Sequence, residues 1–372
     1  MLASSVFRDD AEIRRGDAMQ ELLPGRLGDP NMTLLTDPRM DPRVAQLLAV
    51  AGDLVDDIES PGPDAGYEEI LAYCREVEAT IALQHPLAEA AMPDFSDVRQ
   101  YQETIQGIDG NDITLYIHEP INREGPFPCV FHTHGGGMVI LTAKDPNFVR
   151  WRNALSQSGL VAVGVEFRNG GGTLGDYPFP AGLNDCDSAL QWTNAQREQL
   201  GISAIVMSGE SGGGNLALAT TLQAKRAGRI GSIQGVYAMC PYIFGAYANP
   251  PGRLLSLQEN DGYTLDCAMM SMLAKAYDPD LANAKNPLAW PYHATVEELA
   301  DLPPHIISVN ELDPLRDEGL VFFRKLLAAG NSATARLVPA TNHAGDMGFP
   351  DVAPEPYHET LRSLRNFAYA CA

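Results

Sequence analysis

Several features that would place a chain in a membrane, on nucleic acid or around a metal are missing from these 372 residues. No stretch approaches the roughly 18 to 20 consecutive apolar residues that cross a bilayer. The amino terminus, Met1-Leu2-Ala3-Ser4-Ser5-Val6-Phe7-Arg8-Asp9-Asp10, turns charged before it can build the apolar centre of a secretory signal. Neither a membrane span nor export is expected, and the protein reads as cytoplasmic. Basic charge is scarce: 26 Lys and Arg against 48 Asp and Glu leave a net charge of −22, which repels phosphate backbones and anionic membrane surfaces and argues against nucleic-acid partners. The six cysteines (Cys74, Cys129, Cys186, Cys240, Cys267 and Cys371) include no Cys-x-x-Cys pair, so they read as small buried hydrophobes, and no metal site is expected. Internal repeats and low-complexity tracts are absent too. With 45% hydrophobic and 20% charged residues, the composition is that of a soluble globular protein.

Length alone suggests two domains, or one large α/β core carrying insertions. Residues 1–95 read as helices and loops, with Tyr67-Glu68-Glu69-Ile70-Leu71-Ala72-Tyr73 at helical spacing. The texture changes at Asp112. Ile113 to His118 alternates, Pro128 to Thr133 is a short β-rich run, and strand-like segments then alternate with helical ones: Leu160 to Val165, Asn184 to Gln199, Ala204 to Ser208, Gly235 to Cys240, His305 to Asn310 and Thr334 to Pro339, with a closing helix over Glu355 to Ala370. Such alternation predicts an α/β fold, a mostly parallel central sheet flanked by helices. Between Tyr242 and Leu302 the rhythm is lost, and an excursion of that length between strands reads as a lid or inserted subdomain. The expected organisation is therefore a core of residues 96–241 and 303–372, with 242–302 as an insertion.

Chemistry concentrates at Gly209-Glu210-Ser211-Gly212-Gly213, a serine boxed by glycines directly after Ala204-Ile205-Val206-Met207. A nucleophilic serine on a strained strand-to-helix turn requires this arrangement, because side chains on the flanking residues would collide where the chain doubles back. Such a serine needs a base, an acid that orients the base, and donors for the developing oxyanion. His134-Gly135-Gly136-Gly137 follows a predicted strand and lacks the Lys and Ser/Thr of a phosphate loop, so the amides of Gly136 and Gly137, with that of Gly212, are the candidate oxyanion donors. His134 is expected to brace this loop, and His132 to be structural. Past the strand ending at Asn310, Glu311-Leu312-Asp313-Pro314-Leu315-Arg316-Asp317-Glu318 offers four carboxylates where parallel sheets place their sites. Asp313 is the candidate acid and Glu311 the fallback, while Asp317 and Glu318 suit the first turn of a helix through its dipole alone. The order Ser, Asp, His leaves His343 and His358 as bases; His343 sits in a loop after a strand, His358 in the final helix.

These stretches resemble the hormone-sensitive lipase family of α/β-hydrolases. The resemblance is carried by Thr133-His134-Gly135-Gly136-Gly137-Met138, Gly209-Glu210-Ser211-Gly212-Gly213-Gly214-Asn215, Glu259-Asn260-Asp261-Gly262-Tyr263 and Asn310 through Gly319, and runs from about residue 110 onward. It implies an α/β-hydrolase fold with a helical cap built from residues 1–95 and the 242–302 insertion, Ser211 as nucleophile, Asp313 as acid and His343 as base. Two departures stand out: Glu210-Ser211-Gly212 where the family usually has Asp-Ser-Ala, which favours a brefeldin A esterase-like branch, and Phe167-Arg168-Asn169-Gly170 where it has Tyr-Arg-Leu-Ala-Pro-Glu. Glu210 reads either as a functional carboxylate or as packing beneath the elbow. The implied activity is a serine carboxylesterase acting on small to medium hydrophobic esters, with a small-molecule ester as partner, no cofactor, and a homo-oligomer compatible with the chain. Lactone or amide hydrolysis would use the same residues, and a noncatalytic receptor on the same fold is the rival from another class.

Overall fold

A computed structural model describes residues 23–372 except 52–57, 59, 63–64 and 122. Expectations for residues 1–22, the signal-free amino terminus among them, lie outside the described residues. Eight strands form one sheet: β1 (Val98–Gln106), β2 (Asp112–Pro120), β3 (Phe127–Thr133), β4 (Val161–Glu166), β5 (Ile202–Glu210), β6 (Gly235–Met239), β7 (His305–Leu312) and β8 (Ala333–Asn342), in the order β1-β2-β4-β3-β5-β6-β7-β8. Only the pairings of β2 with β1 and β4 are antiparallel; from β4 to β8 every neighbour is parallel.

Parallel strands covered on both faces read as continuous apolar runs, which is why β3 to β7 were legible as short hydrophobic segments. Strand β1 was not. Of its nine residues, Val98 and Ile105 alone are buried, so its sequence is mostly polar and lacks the alternation that marks a half-buried strand.

The helices are α1 (Pro42–Ala51), α2 (Tyr67–Ala82), α3 (His85–Ala90), α4 (Pro146–Gln157), α5 (Ala181–Ala195), α6 (Gly212–Arg226), α7 (Cys267–Tyr277), α8 (Arg316–Ala328) and α9 (Pro354–Ala370), besides single turns. The strand period of two sorts the core: Val130, Ala162 and Val206 face α4 and α9 through Trp151, Leu155 and Leu364, whereas Cys129, Phe131, Val163 and Met207 face α5, α6 and α8. Residues 242–302 hold α7 and short turns but no strand beyond an isolated bridge between Tyr263 and Leu265. Helix α7 packs on α2, and Lys275 Nζ donates to the Ala65 carbonyl at 2.8 Å. No helix among the described residues is long and apolar enough to cross a membrane.

Candidate active site

Strand β5 ends at Glu210 and α6 begins at Gly212, so Ser211 alone turns the chain, at φ +56° and ψ −121°. A non-glycine residue at positive φ is strained, and here the surroundings fix it: its N–H donates to the Met239 carbonyl at 3.0 Å, and its carbonyl accepts from Tyr242 N–H at 3.1 Å. The elbow is possible because Gly213 has no side chain. A Cβ there would sit 1.9 Å from the Thr133 carbonyl oxygen, so any other residue would push β3 away from the serine.

The His134-Gly135-Gly136-Gly137 loop lies against this turn. A Cβ on Gly212 would come within 2.7 Å of Gly137 N, which places the amide of the residue after the serine beside those of the loop. Gly136 and Gly137 take φ +97° and +63°, and their amides donate to no protein atom among the described residues. Gly212, as the first residue of α6, has no intrahelical acceptor for its own N–H. The loop and the start of α6 thus lie against each other, with three amides that donate to no protein atom among the described residues.

Glu210 holds this geometry together. It is buried, accepts from Gly135 N–H at 2.8 Å, and faces His132 Nε2 at 3.0 Å, so the residue before the serine ties the elbow to the loop. Its packing reading therefore stands with a positional purpose added. His134 braces as expected: Nδ1 donates to the Gly135 carbonyl at 2.8 Å, the ring stacks on Phe167 at 4.2 Å, and burial pushes its pKa down to about 3, keeping it neutral. The departing segment after Phe167 buttresses the loop from behind, with Gly170 and Gly171 amides donating to the Met138 and Val139 carbonyls at 2.9 and 3.0 Å.

Of the four carboxylates at the end of β7 and just past it, Asp313 is the one bonded to a histidine. It is fully buried, its Oδ2 lies 2.9 Å from His343 Nδ1, and its Oδ1 accepts from Leu315 N–H at 2.9 Å. Glu311 turns instead to Arg39, and Asp317 accepts from Ser256 N–H. Glu318 departs from the helix-dipole expectation: it is 1% exposed and accepts from the amides of Ile243 and Phe244 and the Tyr247 hydroxyl. His358 is exposed on α9, which leaves His343 as the histidine at the sheet's carboxyl edge. Cys240 Sγ, Asp313 and His343 each bring one donor atom within 4.8 Å of one another, two of them joined by the Asp313–His343 hydrogen bond. Cys240 also follows Met239, whose carbonyl accepts from the Ser211 N–H, so the Asp313–His343 pair and the Ser211 turn share neighbouring residues. Burial alone would lower the His343 pKa, but the Asp313 carboxylate outweighs it and raises the pKa well above the ordinary imidazole value.

Residues 130–346 match the family described as alpha/beta hydrolase fold. The chain belongs to that family. Its fold is also that of solved esterases: it superposes on brefeldin A esterase, described as a bacterial homologue of human hormone-sensitive lipase, with TM-score 0.84 and 42% identity over 94% of this chain and 98% of the other. Esterase Est22 follows with TM-score 0.82 and 36% identity, covering 91% of this chain and 99% of that one. Among curated relatives, Esterase LipI of Mycobacterium tuberculosis (strain ATCC 25618 / H37Rv) is 31% identical over 242 residues, 64% of this chain and 71% of its own length. Carboxylesterase NlhH from the same strain is 29% identical over 279 residues, 73% of this chain and 83% of its own.

In this α/β-hydrolase, α7 comes down over the loop that follows β3: a Cβ on Gly137 would touch Leu273 Cδ1 at 3.1 Å. The aromatic and Met residues of 242–302 mostly pack inward. Tyr242 stacks on Tyr247 at 4.9 Å, and Tyr242, Tyr247, Phe244, Met270 and Met272 are all buried. Glu78 of α2, unmarked in the sequence, accepts from Leu141 N–H at 2.7 Å and from Thr173 N–H, tying residues before the sheet to the far end of the loop that follows β3. No local signal could have found Glu78 or Glu318, because a helical glutamate looks alike whether it faces solvent or a buried amide.

Proposed function

We propose that this carboxylic ester hydrolase works through an acyl-enzyme on Ser211, with His343 as general base, Asp313 as the acid that orients it, and the amides of Gly136, Gly137 and Gly212 as oxyanion donors. The observation that carries the reading is the 2.9 Å hydrogen bond between the buried Asp313 and His343, directly past the ends of β7 and β8. Asp313 fixes the proton on Nδ1, which leaves Nε2 free to accept the seryl proton. The seryl oxygen then attacks the ester carbonyl, and the carbonyl oxygen takes the negative charge where unspent amides can meet it. Collapse expels the alcohol, which takes the proton from His343. Water, deprotonated by the same imidazole, attacks the acyl carbon, and the carboxylic acid leaves as Ser211 recovers its proton from His343, the acid then ionising in solvent.

The cap is proposed to comprise the region before the sheet and residues 242–302. Leu273 over Gly137 supports an apolar ceiling above the acyl group, and so small to medium hydrophobic esters as substrates. A fluorescent phosphonate reports on the nucleophile: the unaltered protein should label on the Ser211 peptide, and Ser211→Ala should lose both label and ester turnover. Turnover that survives Ser211→Ala contradicts the reading. Binding of esters with neither label nor turnover would instead favour a receptor, and matched ester, lactone and amide substrates rank the leaving groups.

A further inference from the structure

The Glu259-Asn260-Asp261-Gly262-Tyr263 stretch carries no group of the proposed reaction, yet it sits against both of that reaction's titrating partners. Asn260 is fully buried with both ends of its amide used. Its Nδ2 donates to the carbonyls of Glu311 and Asp313, each at 3.2 Å, and its Oδ1 accepts from Arg39 Nη2 at 3.2 Å. Four residues earlier, the buried Ser256 donates its hydroxyl to the Pro314 carbonyl at 2.7 Å, and its N–H reaches Asp317 at 2.9 Å. The segment thus grips the chain on both sides of Asp313.

Its other end reaches the base. Asn342, directly before His343, donates from Nδ2 to Thr264 Oγ1 at 2.7 Å. Thr264 stands at φ +75°, a conformation that a β-branched residue adopts only when its surroundings impose it. The segment is itself locked from outside the sheet. Glu259 is held by Arg316 at 2.6 Å and by Arg39, Arg39 is paired with Asp37 at 2.7 Å, and Asp37 accepts from the Tyr263 hydroxyl at 3.0 Å.

We infer that residues 256–264 are a positioning splint, which holds the Asp313 loop through Ser256 and Asn260 and the His343 loop through Thr264, and that Arg39 locks it in place. The inference rests on the proposed Asp313–His343 pair. An Asp–His hydrogen bond tolerates little drift, and misplacement by about 1 Å from a change remote from the chemistry can cost on the order of 100-fold. A segment that fixes both backbones is how such drift is prevented between two separate loops. Asn260, Thr264 and Arg39 are positioning residues and touch no substrate.

The test compares Asn260→Ala, Thr264→Ala and Arg39→Ala with the rescue variants Thr264→Ser and Arg39→Lys. Arg229→Ala, which breaks the distant Arg229–Asp187 pair, serves as the control. Expected are kcat losses on the order of 10- to 100-fold for Asn260→Ala with KM changed by less than about twofold, recovery in Thr264→Ser, and an acid limb of the pH profile displaced to lower pH as the carboxylate loses its hold on the imidazole. In an Asp313→Asn background, Asn260→Ala should cost little more, because both act through one pair. Should a variant fold poorly, the rate of phosphonate labelling per folded molecule, normalised to the native circular-dichroism signal, replaces kcat. Melting temperatures that fall while kcat, labelling rate and pH profile stay at the Arg229→Ala level would overturn the splint, as would full additivity with Asp313→Asn. Failure of the unaltered protein to label on Ser211 would strike the proposed nucleophile instead, so the two failures are told apart.

Discussion

At the scale of single residues, the pair Asp313–His343 sets the pH behaviour. Burial lowers an imidazole pKa, the buried carboxylate beside it outweighs that effect, and the net displacement is upward. A general base must be neutral to accept the seryl proton, so kcat/KM should climb with pH and reach half its plateau above the ordinary imidazole value. Replacing the charge by Asp313→Asn removes the largest upward push, with that from Cys240 left in place, so the half-rise should move to lower pH while kcat falls by about 10⁴-fold, as when a triad loses its orienting acid. A pH–rate series on both proteins checks this; a half-rise unmoved by the substitution would mean that another group titrates. Ser211, Asp313 and His343 could be nominated from the sequence because each occupies a position that chain order and strand ends define. The preference for Asp313 over Glu311, Asp317 and Glu318 rests on loop position in the sequence, whereas the partners of the four acids, which differ for each, follow from no local pattern.

At the scale of elements, the first turn of α8 anchors the segment that follows β6. Burial pushes the Glu318 pKa up to about 8, against the amide and hydroxyl donors that favour its charged form. An acid with a raised pKa keeps its proton in the folded state where the unfolded chain has released it. Stability from this group is therefore lost as pH rises from the ordinary carboxylate range to about 8. Glu318→Gln removes that dependence, and its amide oxygen can still accept from Ile243 and Phe244. Urea unfolding at about pH 5 and about pH 8 should show a smaller decline for the variant than for the parent, by a few kcal/mol at about 1.4 kcal/mol per pKa unit. Equal declines would refute the buried titration. Elements differed in how plainly the sequence announced them. Parallel strands β3 to β7 were plain because both faces are covered, whereas edge strand β1 hid behind Arg99, Gln100, Gln102 and Glu103, residues that solvent permits.

For the whole molecule, contacts that place the site reach far along the chain. Arg39 and Asp37 grip the segment beside Asp313, Glu78 holds the loop after β3 at Leu141, and Glu318 fixes the chain leaving β6. None of these pairings follows a local rule, because each joins residues at least 63 positions apart that meet only when the sheet is assembled. The sheet edge and its loop order were readable from strand and motif succession; the long-range buttresses were not. The central claim is that Ser211 and His343 act as one unit on esters, and kinetics of Ser211→Ala, His343→Ala and the double variant test it most directly. Each single change should lower kcat by several orders of magnitude, about 10⁶-fold where such units have been dissected, and the double variant should lose scarcely more. Losses that multiply, or a single variant that keeps turning over ester, would contradict the account.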